Sequence, residues 1–287
     1  AKDLGYKKII IVGQDYSYPW DQAAGFIRGF LENGGEKVER IWHPVEAVDF
    51  SSIMAKLMNM SKEYDAVLNN SGGAQVVGFF KQWKQFGLDK VYPQILGQAN
   101  VPIVSMLSEL GDSALGVYSS LHYYDGNPSE ANQKFRESFK KKYGHYPDVI
   151  ALQGYDAMHV AFKAMKAING QVDDPKKFIA ALRQVKMSVD ESPRGPFYFD
   201  KYANPVQNIY IKKVVKKDGQ LMNEAVKTYQ NVSQFGPYAD MAEKYMAAPA
   251  TTRDYPPGDK ASYFKEIEKH FGKDYIEKLE KNNGWVD

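Results

Sequence analysis

The sequence contains no cysteine in its 287 residues. Without cysteine the chain has no disulfide framework, no thiol nucleophile and no thiolate ligand for a metal ion. Long apolar runs are also missing, since no stretch approaches the roughly 18 residues of a membrane-spanning helix, and no signal peptide opens the printed chain. Hydrophobic residues nevertheless make up 44% of the sequence, so we expect a packed core of one large or two modest domains.

An excess of charge of one sign is missing as well. The chain has 37 basic and 35 acidic residues, which gives a formal net charge of +2. Binding to nucleic acid needs a concentrated basic face, whereas the lysine run at residues 140–142 is short and flanked by apolar positions. We interpret such runs as solvated faces and expect no nucleic-acid partner.

The first 120 residues alternate between strand and helix patterns. The β-branched run at residues 8–13 predicts a strand that is buried on both faces. Further strands are predicted over residues 37–42, 65–68, 92–96 and 115–120. Helices are predicted over 19–33, 72–86 and 101–109, and another helix begins after Ser51 as its N-cap. Four β-α repeats followed by a strand are typical of an open parallel sheet with helices on both faces.

The pattern changes after Ser120. Helices are predicted over residues 129–143, 147–168 and 174–185. Their apolar faces need a sheet to cover them, and residues 121–190 do not supply one. We expect the sheet that covers them to lie upstream of residue 1. A strand pair is predicted at 195–200 and 209–215, followed by a polar segment with one last amphipathic helix over 260–281.

Polar and aromatic side chains follow the carboxyl ends of the predicted strands, where open parallel sheets bind ligands. The candidate ligand-binding residues are Tyr16, Tyr18, Asn69, Asn70, Ser71, Gln98 and Asn100, together with His122 after the last of these strands. Amides, hydroxyls and aromatic rings suit the reversible capture of a small molecule and are poor acids and bases near neutral pH. A structural interpretation stays open, because Asn70 or Ser71 also suits the N-cap of the following helix and His122 suits a solvated linker.

Motifs of catalysis and cofactor binding are missing from the sequence. The five histidines show no His-Glu-x-x-His or His-x-His spacing, and the sequence has neither a Gly-x-Ser-x-Gly elbow nor a phosphate-binding loop with Gly-Lys-Ser/Thr. The first strand ends in Gly13-Gln14-Asp15-Tyr16, whose bulk disfavours close approach to a pyrophosphate. We therefore expect no enzymatic activity, no cofactor and no metal.

Several short motifs occur in an order that resembles a known family. They are residues 9–13 followed by Gln14-Asp15-Tyr16-Ser17-Tyr18, then Tyr143-Gly144-His145-Tyr146-Pro147, Gly154-Tyr155-Asp156-Ala157 and Gly195-Pro196-Phe197-Tyr198-Phe199-Asp200. Over about residues 1–217 the chain resembles the type I periplasmic solute-binding proteins of ABC importers, in their leucine/isoleucine/valine-binding branch.

The resemblance implies an α/β fold of two Rossmann-like lobes with parallel sheets, in which the N-terminal lobe is incomplete in this chain. Residues 1–120 would form the second lobe, 121–185 the helical back half of the first lobe, 186–221 a return to the second lobe, and 222–287 a C-terminal extension. It further implies a monomeric periplasmic or extracellular receptor that captures a small organic solute in an interlobe cleft and passes it to a membrane permease.

The resemblance also narrows the ligand. By position, Tyr18 matches a ligand-facing tyrosine of the family and Asn69 falls near another, whereas the stretch Gly97-Gln98-Ala99-Asn100 lacks the acid that amino-acid binders place there. A buried ammonium without a counter-charge is costly, so we expect a carboxylic or aromatic acid, or an amide, ahead of a standard α-amino acid. Two alternatives stay open at this point: a ligand-sensing domain of a signalling receptor with the same fold, and an enzyme on a doubly wound sheet.

Overall fold

The computed structural model describes residues 1–282, 284 and 285. These residues form two compact units. The first unit comprises residues 1–102, 112–119, 237–282, 284 and 285, and the second comprises residues 103–111 and 120–236. Among the described helices, none is both long and apolar enough to cross a membrane.

A parallel sheet forms the centre of the first unit. Its strands are β1 (Lys8–Gln14), β2 (Lys37–His43), β3 (Ala66–Asn70), β4 (Ile95–Gly97) and the start of β5 (Tyr118–Leu121), in the order β2-β1-β3-β4-β5. Ile11 in the middle of β1 is paired with Arg40 on one side and with Leu68 on the other. The side chains of residues 9–12 are fully buried, as expected for a β-branched strand with helices on both faces of its sheet.

Three helices of the first unit follow its strands: α1 (Ser17–Glu32), α2 (Ser51–Met60) and α3 (Ala74–Gln85). Aromatic rings continue the core from the α2 side to α3, with centroid distances of 5.6 Å between Phe50 and Phe79 and 5.9 Å between Phe79 and Trp83. Trp83 in turn lies 5.5 Å from Tyr92. Phe79 and Trp83 lie on α3, so these contacts pack that helix against Phe50, before α2, and Tyr92, before β4.

The second unit contains an antiparallel sheet of β6 (Lys186–Met187), β7 (Phe197–Phe199), β8 (Pro205–Lys217) and β9 (Gln220–Val232). The long hairpin of β8 and β9 turns at Asp218 and Gly219, whose φ angles are 50° and 78°. Positive φ at both central residues defines the type I′ turn, for which Asp-Gly is a preferred sequence.

The helices of the second unit are α4 (Val104–Leu110), α5 (Glu130–Tyr143), α6 (Val149–Ala167) and α7 (Pro175–Arg183). Ser129, Asp148 and Asp174 cap the last three with side-chain oxygens that accept backbone N–H groups. One face of α6 packs through Val160 and Ala164 into a core with Met187 and Phe197.

Another face of α6 stays exposed. Tyr155, Met158 and Phe162 are 41%, 52% and 57% exposed. The uncovered apolar side chains agree with the expectation that residues 121–190 do not cover their own helices, although β6 and β7 cover part of α6. Helical spacing therefore identifies an apolar face of α6 but not whether the chain buries it. The assignment of segments to lobes stays a prediction.

The C-terminal part of the chain differs from the sequence prediction in two respects. Most of residues 220–232 was predicted only as part of a polar segment, but these residues form β9, whose many exposed side chains give no clear hydrophobic alternation. The predicted helix over 260–281 consists of α9 (Lys260–Phe271) and α10 (Lys273–Asn282), separated by Gly272 at φ 91°. These helices follow the short α8 (Ala242–Ala247), and all three belong to the first unit.

Candidate functional site

The strand order of the first unit points to one candidate ligand site. The chain leaves β1 toward β2 on one side and returns to β3 on the other, so β1 and β3 flank a topological switch point. Open α/β sheets bind ligands beyond the carboxyl ends of the strands at such a point. We use the name rim for the residues at and directly after these strand ends, namely 14–20, 69–73 and 97–100, together with His43.

Gln14 connects two loops of the rim. Its side chain is buried, with Nε2 donating to the carbonyl of Val45 at 3.1 Å and Oε1 accepting from the backbone N–H of Gly72 at 2.9 Å. The amide thereby fixes the loop after β2 relative to the loop after β3. Gln14 is not among the residues that the sequence predicts for ligand binding. Its role depends on Val45 and Gly72, which are distant along the chain.

Asn69 and Asn70 end β3 and are both buried. Asn69 Oδ1 accepts from the N–H of Ser71 at 3.1 Å, and Asn70 Nδ2 donates to the carbonyl of Pro19 at 2.7 Å. Within the described part of the chain, Asn69 Nδ2 and Asn70 Oδ1 are buried without a hydrogen-bond partner. Buried polar atoms are nearly always paired, so these two are unsatisfied amide groups at the end of β3.

Ser71 does not cap the helix that follows it, since α3 begins at Ala74 with Gly73 as its N-cap and without a side-chain cap. Ser71 Oγ instead lies 2.8 Å from Nε2 of His43, whose Nδ1 lies 2.8 Å from the carbonyl of Pro44. Burial lowers the pKa of His43, and the Pro44 carbonyl and Asp15 oppose that shift. The neutral ring therefore donates from Nδ1 and accepts the Ser71 proton at Nε2.

His43 was not among the predicted site residues. The sequence signal that identifies it is its position at the carboxyl end of the second strand, on the same edge of the sheet as Asn69.

Gln98 and Asn100 position each other after β4. Gln98 Nε2 donates to the carbonyl of Ser71 at 3.0 Å, and its Oε1 accepts from the N–H of Asn100 at 3.0 Å. Asn100 Nδ2 donates to the hydroxyl of Tyr18 at 3.0 Å. The structure thus brings the predicted residues after the first, third and fourth strands into one hydrogen-bonded rim.

Tyr16 and Tyr18 form the aromatic part of the rim. Their ring centroids lie 6.4 Å apart with an interplanar angle of 24°, and the residues are 38% and 43% exposed. Burial of part of the ring raises the pKa of Tyr18, so its hydroxyl is protonated near neutral pH. Two partly exposed rings beside amide groups form a surface suited to a flat, partly polar molecule.

His122 is the one predicted residue outside this constellation, because it belongs to the second unit. Among the described residues its Nε2 has no hydrogen-bond partner. Burial, together with the positive charges of Arg194 and Lys212, lowers the pKa of His122 to about 4. The imidazole is therefore neutral near pH 7.

The rim offers donors, acceptors and aromatic faces, and the one imidazole in it is engaged at both ring nitrogens. These groups carry no formal charge, and the carboxylate of Asp15 in the same rim is engaged by Trp20 and Arg253. Fold and rim together define an α/β unit with a candidate ligand site at the ends of its strands.

The family follows from comparison of the sequence. Residues 1–220 match the periplasmic binding protein family, and the chain belongs to that family. The predicted resemblance and the predicted α/β fold class are thereby confirmed. Among curated proteins, the chain is 34% identical over 237 residues to the Leu/Ile/Val-binding protein homolog 6 of Brucella melitensis, covering 80% of this chain and 59% of that protein.

Solved structures show the same relationship. One similar structure is a solute-binding protein of an ABC transporter from Rhodopseudomonas palustris BisB5, in complex with 3,4-dihydroxybenzoic acid. Its sequence is 35% identical and its TM-score is 0.73, and the match covers 80% of this chain and 62% of that protein. A second solute-binding protein, from strain HaA2 in complex with p-hydroxybenzoic acid, is 28% identical with a TM-score of 0.74. That match covers 82% of this chain and 64% of the other protein. The chain thus spans about 60% of the length of these relatives.

Proposed function

We propose that the protein is the substrate-binding component of an ABC importer and that its rim captures a small organic acid. The observation that carries this proposal is the buried, unpaired amide pair at the end of β3, Asn69 Nδ2 and Asn70 Oδ1, beside the exposed rings of Tyr16 and Tyr18. A ligand with a polar group and a flat body satisfies both features. Membership of the periplasmic binding protein family supports the same role.

An aromatic carboxylic acid is the ligand class that the rim supports best. The stretch after β4 contains amides and no acid, and Asp15 is engaged by Trp20 Nε1 and by Arg253. A ligand ammonium therefore has no unengaged carboxylate in the rim to neutralise it. The first turn of α3 directly after Gly73 favours an anion instead. Two relatives of known structure were solved with hydroxybenzoic acids.

The remaining properties follow from this role. The protein binds its solute without chemical change, works outside the cytoplasm, and passes the solute as a monomer to a membrane permease. His122 stays a proposed ligand contact. The exposed apolar face of α6 supports the proposal that residues 121–185 complete another sheet in the whole protein.

A thermal-shift panel on the whole protein tests the function. Benzoate, 4-hydroxybenzoate and 3,4-dihydroxybenzoate are compared with leucine, isoleucine and valine at equal concentrations. A ligand at 100 times its Kd stabilises the folded state by about 2.7 kcal/mol, so a true solute raises Tm by several degrees. We expect the aromatic acids to do so and to be recovered unchanged by chromatography. Stabilisation by the branched-chain amino acids alone contradicts the ligand class, and conversion of a bound acid contradicts the non-enzymatic role.

A further inference from the structure

The C-terminal residues of the first unit, 237–282, 284 and 285, are called the tail. A buried carboxylate fixes the tail to α1. Glu32 Oε1 accepts from the hydroxyl of Tyr238 at 2.6 Å and from that of Tyr263, and its Oε2 accepts from the hydroxyl of Tyr275 at 2.9 Å and from Trp285 Nε1 at 2.6 Å. Charge-assisted hydrogen bonds of this kind are strong. The tail is therefore a fixed part of the first unit.

From this anchor the tail runs along the outer strand of the sheet. The N–H of Val38 donates to the carbonyl of Gly258 at 2.7 Å, and Lys37 forms an antiparallel bridge with Asp259. Further along β2, the guanidinium of Arg40 donates to the carbonyls of Asp254, at 3.2 Å, and Pro256. Because the two segments are antiparallel, residues preceding 254 lie toward the carboxyl end of β2, which is the rim.

Arg253 makes contact with the rim there. Its Nε lies 3.1 Å from each carboxylate oxygen of Asp15, the first residue after β1. Trp20 Nε1 donates to Asp15 Oδ1 at 3.1 Å, and the N–H of Asp15 donates to the carbonyl of His43 at 2.9 Å. Asp15 thus joins the tail, the first turn of α1 and the end of β2.

We propose that Arg253 is a positioning residue for ligand capture: through Asp15 it holds the segment 15–18, which carries Tyr16 and Tyr18, in the geometry that receives the solute. This inference rests on the proposed function. Arg253 acts on the ligand through Asp15 and the segment that follows it.

Because the ion pair between Arg253 and Asp15 is partly exposed, its effect on ligand binding can be distinguished from an effect on folding stability. The side chains of Arg253 and Asp15 are 50% and 35% exposed, and ion pairs between exposed side chains contribute little to folding. Affinity, in contrast, is sensitive to the cost of ordering a loop when the ligand arrives. Loss of Arg253 therefore weakens binding while the stability of the fold stays nearly unchanged.

Binding measurements test the proposal in the whole protein with 3,4-dihydroxybenzoate as the probe. We expect Arg253→Ala to raise Kd about 3- to 10-fold with Tm nearly unchanged, and Arg253→Lys to recover part of the loss. Lys273→Ala is the matched control, because it breaks an exposed pair with Glu277 within the same tail. A wild-type Kd in Arg253→Ala, or an equal loss in Lys273→Ala, overturns the proposal.

A double-mutant cycle with Asp15→Asn tests whether the effect passes through Asp15. Non-additive changes in Kd are expected, and additive changes overturn the assignment. Hydrogen exchange of the ligand-free protein gives a readout that needs no ligand. Arg253→Ala is expected to raise exchange in peptides covering 14–20, whereas unchanged exchange overturns the proposal. If exchange rises but the wild type binds none of the tested solutes, the proposed function fails and the positioning of the segment by Arg253 is retained.

Discussion

His43 at the end of β2 and Ser71 after the end of β3 are joined by a buried hydrogen bond of 2.8 Å between Nε2 and Oγ. Since β1 lies between these strands, the bond spans the switch point of the sheet. It connects two loops whose polar groups face the same rim.

Replacement of Ser71 by alanine removes the donor and leaves a buried, neutral Nε2 without a partner. We expect the free energy of unfolding to fall by about 1–2 kcal/mol, measured by urea denaturation, and the affinity for an aromatic acid to fall as well. The exposed Ser52 in α2 serves as the matched control, and Ser52→Ala should change neither quantity. Equal unfolding curves for wild type and Ser71→Ala would show that the bond does not stabilise the rim.

The hydroxyl of Tyr18 accepts from Asn100 Nδ2 at 3.0 Å, whereas Tyr16 contributes its ring to the stack. Tyr18→Phe keeps the ring and removes the hydroxyl. We expect a rise in Kd for 3,4-dihydroxybenzoate of about 3- to 10-fold, which corresponds to one net hydrogen bond, measured by isothermal titration. Tyr143→Phe, which alters an exposed tyrosine of the second unit, is the control. A Tyr18→Phe protein with wild-type affinity would show that the hydroxyl of Tyr18 does not contribute to ligand binding.

The sequence predicted the sheet and most of the rim for a clear physical reason. Strands buried on both faces read as continuous apolar runs, and the loop residues directly after them are then identified by position alone. The three predicted groups after β1, β3 and β4 meet in one hydrogen-bonded set. Which of their atoms are buried and unpaired could not be predicted, since this depends on the exact backbone path.

Residues whose roles depend on distant partners were missed. Glu32 is a single acid at the end of a helix, and its partners lie more than 200 residues further along the chain. Arg253 meets Asp15 across a sequence separation of 238 residues. Local pattern carries no information about such pairs, because they form only when the tail packs on the first unit.

We predict that the folding stability of the protein depends on pH, because the pKa of His122 differs between the folded and unfolded states. Its folded pKa of about 4 lies below the ordinary value of roughly 6.5 for the unfolded chain, so the unfolded state takes up the proton first as pH falls. The contribution to stability is fully present above about pH 6.5 and is lost between about 6.5 and 4, by at most about 3 kcal/mol. His122→Gln should flatten this part of the stability profile in urea denaturation at several pH values. The exposed His145 provides the control His145→Gln, and a profile in which both variants follow the wild type would be inconsistent with a buried neutral His122.

We predict that the free energy of unfolding depends strongly on the buried carboxylate of Glu32. Burial and the negative charge of Glu32 raise the pKa values of Tyr238, Tyr263 and Tyr275, so these groups remain neutral donors to the carboxylate. Glu32→Gln replaces one acceptor oxygen by an NH₂ group that faces donors, and we expect a loss of about 2–4 kcal/mol of unfolding free energy. Tyr275→Phe should lose about 1 kcal/mol.

The exposed Glu36, four residues further along the chain, is the control for the anchor. Glu36→Gln is expected to unfold at the same temperature as the wild type in calorimetry. A Glu32→Gln protein that does so too would show that the tail is held by other contacts.

The central claim is that the amide and tyrosine side chains of the rim, at the switch point between β1 and β3, capture an aromatic acid while the one rim carboxylate, Asp15, is paired with Arg253. Asn100→Asp keeps the size of the side chain and adds one negative charge beside Tyr18, whose hydroxyl can then donate to it. Isothermal titration of 3,4-dihydroxybenzoate into the whole protein should show binding to the wild type and an affinity lower by about tenfold or more in Asn100→Asp. Equal affinity in the two proteins, or a wild type that binds leucine and not the aromatic acid, would contradict the account.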